Sequence, residues 1–437
     1  MILSNLYRYL PFIFIVVAFG PYIHLGLGIR LEHLVIYPLF VLMFLFSFKS
    51  KYVFIKDGLV LFAIWMFAVA FMGIRTLFGN ESELISALSD FESIMQPFVI
   101  LLLFTLIVIN FSKGNAKERI IKASKILIFL LSLNTIWSIF NIFMDFTTIN
   151  SYFWGSKESV ASRAMTNGRF SGVFNQPMEA GVMYSIGLFC WVYLSERLEK
   201  IKLRYIISLF LMIIGGLLTV SKVFLFGGLG LFFLGVIFNK NIWKLMFSLS
   251  FWSLAIGAPT FYFFTKTWGG LDYLLRFFGS NQGIIRLLTS GRFGENSQQS
   301  SLFESVWKQN PLFGSGFGVH PIYDSGFFYF FGNGGLLALV FYVIILIIFV
   351  LMAIKFLILG KLNSESKFFS LIVILIIGSS VGVPVLTLNR VSIVLWVFVG
   401  LLIQYSHFFK VGGAEPEIVT ENVKTKKRRK FKRYKIV

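Results

Sequence analysis

The sequence predicts an all-α polytopic membrane protein with about 12 transmembrane helices. Three observations carry that expectation. Of the 437 residues, 57% are hydrophobic and 14% are charged, with a mean hydropathy of +0.80. Soluble domains hold about 45–50% apolar and about 25% charged residues, so this excess calls for lipid as solvent. The apolar runs are also long and continuous, as in Leu101–Ile109 and Leu336–Val350. Finally, hydrocarbon obliges every backbone N–H and C=O to pair internally, which leaves helices or a closed barrel. Barrel strands would alternate in short segments, and these runs do not.

A hydrocarbon core of roughly 30 Å takes about 20 helical residues. That ruler places spans near 9–28, 31–48, 57–76, 94–110, 122–145, 177–195, 204–219, 222–238, 244–264, 328–356, 367–386 and 390–409. The 204–238 stretch reads as two short helices turning at Thr219-Val220-Ser221-Lys222. Pro11 to Phe19 resembles a signal-peptide core, but no small-residue cleavage site follows, so it is taken as an uncleaved first helix. Residues 1–410 form one polytopic membrane domain and 411–437 a basic cytoplasmic tail. The paired halves that build many transporters are not visible.

The formal net charge is +20. With the N-terminus cytoplasmic, the short inside segments are dense in Lys and Arg, which predicts both termini inside. Lys424 to Lys435 holds nine basic residues in twelve positions. Contact with anionic headgroups is the expected role of this tail, and RNA or protein binding is the other reading. The charge thus needs no nucleic-acid partner. The single cysteine, Cys190, allows no internal disulfide and no thiolate metal cluster. His24, His33, His320 and His407 are scattered. Walker, Rossmann and HExxH motifs are missing, so neither metal nor cofactor is expected.

Two outside loops are long, 146–176 and 265–327, the second lying before the tenth helix. Loops of that length tend to carry function or short helices of their own. Leu271–Phe278 and Ser300–Lys308 read as amphipathic surface segments. Asp90-Phe91-Glu92, with Glu81 and Glu83, reads as a solvated acidic loop rather than a divalent-ion site. The first long loop runs Asn167-Gly168-Arg169-Phe170-Ser171-Gly172-Val173-Phe174-Asn175-Gln176-Pro177 into a span that contains Glu179. A carboxylate inside a membrane is costly. Glu179 is expected either to pair with Arg169 or another arginine, or to orient an acceptor or take its proton. The second loop holds Gly291-Arg292, then Pro311-Leu312-Phe313-Gly314-Ser315-Gly316-Phe317-Gly318-Val319-His320, then Tyr323-Asp324-Ser325 and Gly332-Asn333-Gly334-Gly335. Such a glycine run either lets backbone amides approach a ligand or is simply a pliant loop. An outside arginine near a helix end is also commonly a snorkelling or loop-anchoring residue.

The order of these pieces resembles the O-antigen polymerase and O-antigen ligase superfamily of bacterial membrane enzymes. The resemblance spans roughly 165–350 and rests on Arg169 to Pro177, the basic turn Thr219 to Lys222, Gly291-Arg292, Pro311 to Gly318, Asp324, and Gly332 to Leu336. Lys222 stands where the family usually has arginine, which keeps the charge but loses the bidentate fork. Asp324-Ser325 stands where the ligase branch has a histidine-asparagine pair, with His320 four residues earlier, which favours the polymerase branch.

The resemblance implies a GT-C-like enzyme of the bacterial plasma (inner) membrane. It would join undecaprenyl-diphosphate-linked oligosaccharide repeat units into O-antigen or capsular polysaccharide on the extracytoplasmic side. Membrane lipid and a chain-length regulator protein would be its other partners. A ligase or a non-enzymatic flippase are the alternatives. The leaving diphosphate calls for cations: Arg169 and Arg292 as catalytic groups, with Lys222, Arg286 and Arg390 binding diphosphate or glycan beside Gly314 and Gly316. Asp324, His320 and Glu179 are the candidate bases, Asp324 being preferred. Trp154, Trp268 and Trp307 are candidate sugar-stacking side chains.

Overall fold

The computed structural model describes residues 2–23, 29–47, 52–78, 84–108, 113–197, 202–237, 298–319 and 325–411. Its helices are α1 (Ile2–Val17), α2 (Leu31–Ser47), α3 (Lys56–Phe78), α4 (Leu84–Thr105), α5 (Lys113–Phe143), α6 (Thr147–Trp154), α7 (Val160–Thr166), α8 (Pro177–Ser195) and α9 (Leu203–Leu218). A π-helical segment, Val223–Leu229, runs straight into α10 (Gly230–Ile237), and α11 (Gln298–Gln309), α12 (Gly326–Leu359), α13 (Ser364–Ser380) and α14 (Asn389–Val411) follow. Among the described residues, six helices, α3, α4, α5, α8, α12 and α14, are long and apolar enough to cross a membrane. The chain is therefore a helical protein of the multi-pass membrane type. The described residues also form two very short antiparallel pairs, β1 (Tyr22–Ile23) with β2 (Ile29–Arg30) and β3 (Tyr52–Phe54) with β4 (Leu106–Val108).

The bundle has an inside and an outside. Buried residues make up 94% of the α8 span and 83% of the α14 span, against 33% for α3 and α12. Helices α8 and α14 therefore form the centre and the others surround them, leaving residues such as Phe67, Leu77, Val340 and Ile347 exposed as a lipid-facing helix requires. Large aromatics fill the centre. Trp65 of α3 and Trp396 of α14 meet edge to face at 5.3 Å. Their indole N–H groups donate to the carbonyls of Ile94 and Leu386 at 3.1 and 2.9 Å, which removes the cost of burying an unpaired donor.

Most expected spans whose residues are described coincide closely with a helix. The turn at 219–222 also falls between α9 and the π-helical segment as expected, with Val220 in the left-handed region at φ 44°. Several boundaries differ. Helix α5 begins at Lys113, ahead of the expected 122, and α13 ends at Ser380, short of the expected 386. The first helix ends at Val17, and the chain then enters the β1–β2 pair instead of continuing to 28. Helix α4 begins at Leu84, so Asp90 and Glu92 lie on a helix and not in a solvated loop. The expected ninth span, the 271–278 segment, Arg286, Arg292, Trp268, His320, Asp324 and the basic tail lie outside the described residues.

Helix α12 is broken near its start. Gly335 has φ 63° and ψ −158°, which separates a leading segment, 326–334, from the long apolar rod that follows. The loop 311–318 packs into this break, backbone against backbone. Ser315 and Gly316 donate to the carbonyls of Gly332 and Asn333 at 2.9 and 3.0 Å, and Leu336 donates to Pro311 at 2.8 Å. A methyl group on Gly314 would meet the Gly335 amide nitrogen at 2.5 Å. Glycine is required at Gly335 twice over, for its dihedrals and for the contact with Leu312. Replacing Gly335 with Ala is expected to cost about 2 kcal/mol or more and to lower the thermal midpoint measured by circular dichroism in detergent. An unchanged midpoint would contradict the packing described.

Candidate functional site

Helix ends and loops that are distant in sequence meet at one end of the bundle. The segment 168–176 forms its centre, and side chains that bond to its backbone hold it from all sides. Asn134 of α5 donates to the Ser171 carbonyl at 3.3 Å and accepts from the Val173 amide at 2.9 Å. Trp154, buried at the end of α6, donates to the Gly172 carbonyl at 2.9 Å. Phe170 donates its amide to Leu218 at 2.8 Å, and Arg169 Nε donates to the Thr219 carbonyl at 3.2 Å. Arg169 is thereby fixed beside the 219–222 turn, whose last residue, Lys222, precedes the π-helical segment. Both side chains are half-buried.

Arg390, at the start of α14, closes the assembly. It is 1% exposed, and its guanidinium donates to the carbonyls of Val173, Gly20 (2.7 Å) and Phe153 (2.9 Å). One side chain thus ties the central segment to the ends of α1 and α6. Its guanidinium carbon lies 5.6 Å from the centre of the Tyr22 ring, and that of Arg30 lies 5.8 Å from the same ring.

Glu179 sits one turn into α8 behind Pro177, and 1% of it is exposed. Its Oε2 accepts from the Asn175 amide at 3.2 Å, so it helps cap the helix on which it lies. The expected pairing with Arg169 is not formed, and among the described residues no cation lies within 4.0 Å of it. Its Oε1 is buried without a hydrogen-bond partner among the described residues.

A second cluster adjoins the first. Glu92 of α4 receives Arg30 at 3.2 Å, Tyr37 at 3.1 Å and His33 at 2.9 Å. Arg30 is also 3.1 Å from Glu32, which is fully buried. Burial disfavours the charge on Arg30, but Glu32, Tyr22 and Glu92 outweigh it and raise its pKa above the ordinary arginine value. Asp90, next but one to Glu92 on α4, accepts from the Gly318 amide at 2.9 Å, and Thr76 of α3 accepts from the Phe317 amide at 2.8 Å. Arg75 donates to the Gly314 carbonyl at 3.1 Å. The glycine loop is thus fastened to α3 and α4 as well as to α12.

Of the expected site residues, the structure brings Arg169, Lys222, Glu179, Arg390, Gly314 and Gly316 to one end of the bundle. Gly314 and Gly316 turn their amides to the carbonyls of Asn310 and Asn333, so these two N–H groups serve the loop itself. Trp154 is spent on Gly172 and buried, so it offers no stacking face. Trp307 is exposed on α11, stacked on Phe303 at 5.6 Å. Arg292, Arg286, Asp324 and His320 lie outside the described residues. Sequence reasoning passed over the Arg30–Glu32–Glu92 cluster. The available signal was an acidic residue in the first turn of an apolar helix directly after an arginine. Among the described residues, no group of three or more His, Cys, Asp and Glu side chains could hold a metal.

Comparison with known proteins gives no further assignment, since no family model, curated protein or solved structure matches the chain.

The Arg390 clamp can be tested directly. Arg390→Ala leaves three carbonyls without their donor, and a loss of about 3 kcal/mol or more is expected. Arg390→Lys cannot reach all three with a single ammonium group, so thermal unfolding in detergent should show only partial recovery. Full recovery by lysine would mean that charge alone matters.

Proposed function

We propose that this protein is a membrane glycosyltransferase of the O-antigen polymerase kind. In this reading it joins undecaprenyl-diphosphate-linked oligosaccharide repeat units into O-antigen or capsular polysaccharide on the extracytoplasmic side of the bacterial plasma membrane. The observation that carries the proposal is the docking of the Arg169–Pro177 segment onto the Thr219–Lys222 turn. These two stretches carry the resemblance, are some 50 residues apart in sequence, and meet through Arg169 and Thr219. The glycine stretch Pro311–Gly318, a third part of the same resemblance, packs at the same end of the bundle.

The opposite end supports the orientation. It carries Lys117, Lys122, Lys125, Arg197, Lys202, Arg204, Lys355, Lys361 and Lys367. The positive-inside bias makes that end cytoplasmic and the end with Arg169 and Lys222 extracytoplasmic. A GT-C-like arrangement of about 12 spans belongs to the same proposal.

The chemistry follows from charge. The acceptor hydroxyl attacks the anomeric carbon of the growing glycan, the bond from that carbon to the diphosphate oxygen breaks, and the lipid diphosphate departs with the bonding electrons. Arg169, Lys222 and Arg292 would neutralise the charge that develops on the leaving group. The hydroxyl proton passes to a carboxylate, for which Asp324 is the preferred group. Glu179 already serves the α8 cap through one oxygen. Arg390 supports the site from beneath, since carbonyls occupy its guanidinium.

The test is reconstitution. Purified protein in liposomes with a defined undecaprenyl-diphosphate-linked repeat unit should yield a ladder of chain lengths on a gel. Arg292→Ala should abolish the ladder, and Arg169→Ala should slow it about 100-fold, with protein levels unchanged. A deletion strain should retain surface glycan of one repeat unit only. Normal chain length in that strain would overturn the proposal, and loss of even single units from the outer core would favour a ligase.

A further inference from the structure

Helices α5 and α9 run side by side, with the floor between them formed by Leu194 of α8, and they enclose a groove of about 460 Å³. The two walls carry the same pattern. On α5, Lys125 is followed at helical spacing by Ile128, Phe129 and Ser132. On α9, Arg204 is followed at the same spacing by Ile207, Ser208 and Leu211. Positions i, i+3, i+4 and i+7 share one helix face, so each wall has a cation at its rim and a mainly apolar stripe below.

Several cations at this end of the bundle are paired with carboxylates. Lys122 pairs with Glu118, Arg197 with Glu365, Lys367 with Glu196 and Lys355 with Asp57. Among the described residues, neither Lys125 nor Arg204 has a carboxylate within 4.0 Å. The hydroxyls lower in the groove are already engaged by their own helices: Ser132 donates to the Ile128 carbonyl at 2.8 Å and Ser208 to the Tyr205 carbonyl at 2.9 Å. Among the described residues, the groove therefore presents two cations without a carboxylate partner, Arg204 lying 5.2 Å from the Tyr205 ring, above a lining whose serine hydroxyls are already bonded. Its volume lies in the range of ligand sites, about 300–1,000 Å³.

We propose that this groove is a binding site for an anionic glycerophospholipid. The lipid phosphate would sit between Lys125 and Arg204, and one acyl chain would lie along Ile128, Phe129, Ile207 and Leu211. A soluble anion would use the rim and leave the apolar stripes empty. A zwitterionic lipid would fill the stripes but bring a cation to the rim. An anionic diacyl lipid satisfies both, in line with the general behaviour of basic pockets between transmembrane helices. The site is on the opposite end of the bundle from Arg169, and the inference does not depend on the proposed polymerase activity.

The test uses the full-length protein in detergent, read by native mass spectrometry with 1-palmitoyl-2-oleoyl phosphatidylglycerol, the matching phosphatidylcholine, and inorganic phosphate as probes. Phosphatidylglycerol should bind on the order of tenfold more tightly than phosphatidylcholine. In Lys125→Gln/Arg204→Gln that preference should fall to within about twofold. Both side chains are exposed, so the variant should keep its helical circular dichroism. Lys202→Gln/Lys361→Gln removes two charges outside the groove and should keep the preference. The proposal is overturned by a wild-type protein without preference, by a groove variant that retains it, by a control variant that loses it equally, or by millimolar phosphate displacing the lipid.

Discussion

The architecture of this protein depends on giving donors to loop carbonyls in a place where water is scarce. Segments 18–21 and 171–175 are neither helix nor paired strand and Phe153 lies in the last turn of α6, so these carbonyls find no donor in regular structure. Arg390 answers three of them with one planar guanidinium, and Trp154 and Asn134 answer two more. A buried unmatched carbonyl costs about 1–3 kcal/mol, so these side chains decide whether the loops can be buried at all. Arginine suits the task because its donors point in several fixed directions. Everything else at this end, including the positions of Arg169 and the 219–222 turn, is built on loops held in this way.

The two ends of the bundle handle charge differently. Around Arg30, the charges are taken deep into the protein, where Glu32 and Arg390 are almost wholly covered. Buried ion pairs repay little net stability, but breaking one leaves an uncompensated charge. They therefore fix which partners meet. At the other end most pairs lie at the rim, as with Arg8–Glu118 and Lys122–Glu118, where exposed ion pairs contribute about 0–1 kcal/mol. The Arg197–Glu365 pair is an exception there, since Glu365 is 2% exposed, and Arg119 is another. It is buried, donates to Gln404 and to the Tyr7 carbonyl at 3.0 Å each, and so links α5 to α14 and α1.

The helices were legible in the sequence because each is a long apolar run, and the burial of α8 and α14 follows from helices packed on every side. The 219–222 turn was legible because polar residues interrupt such a run. The start of α4 was not, because Asp90 and Glu92 look like solvated residues until their partners are known. Those partners, Gly318 and Arg30, are 228 and 62 residues away, beyond the reach of any local pattern. The candidate site divides the same way. The spacing of Arg169, Lys222 and the glycine loop could be read, whereas the use of Trp154 and Arg390 on carbonyls depends on chain segments that only folding brings together. Glu179 was visible as a costly carboxylate, but its bond to the Asn175 amide was hidden by the expectation of an arginine partner.

The broken α12 has a mechanical consequence. Loop 311–318 and residues 332–335 touch main chain to main chain, with no intervening side chains to slide or repack. They must travel as a single rigid piece together with the start of the rod, since Leu336 and Leu337 also donate to the carbonyls of Pro311 and Leu312. The piece is fastened to α3 through Thr76 and to α4 through Asp90. A tilt of either helix would therefore be carried into the first turns of α12.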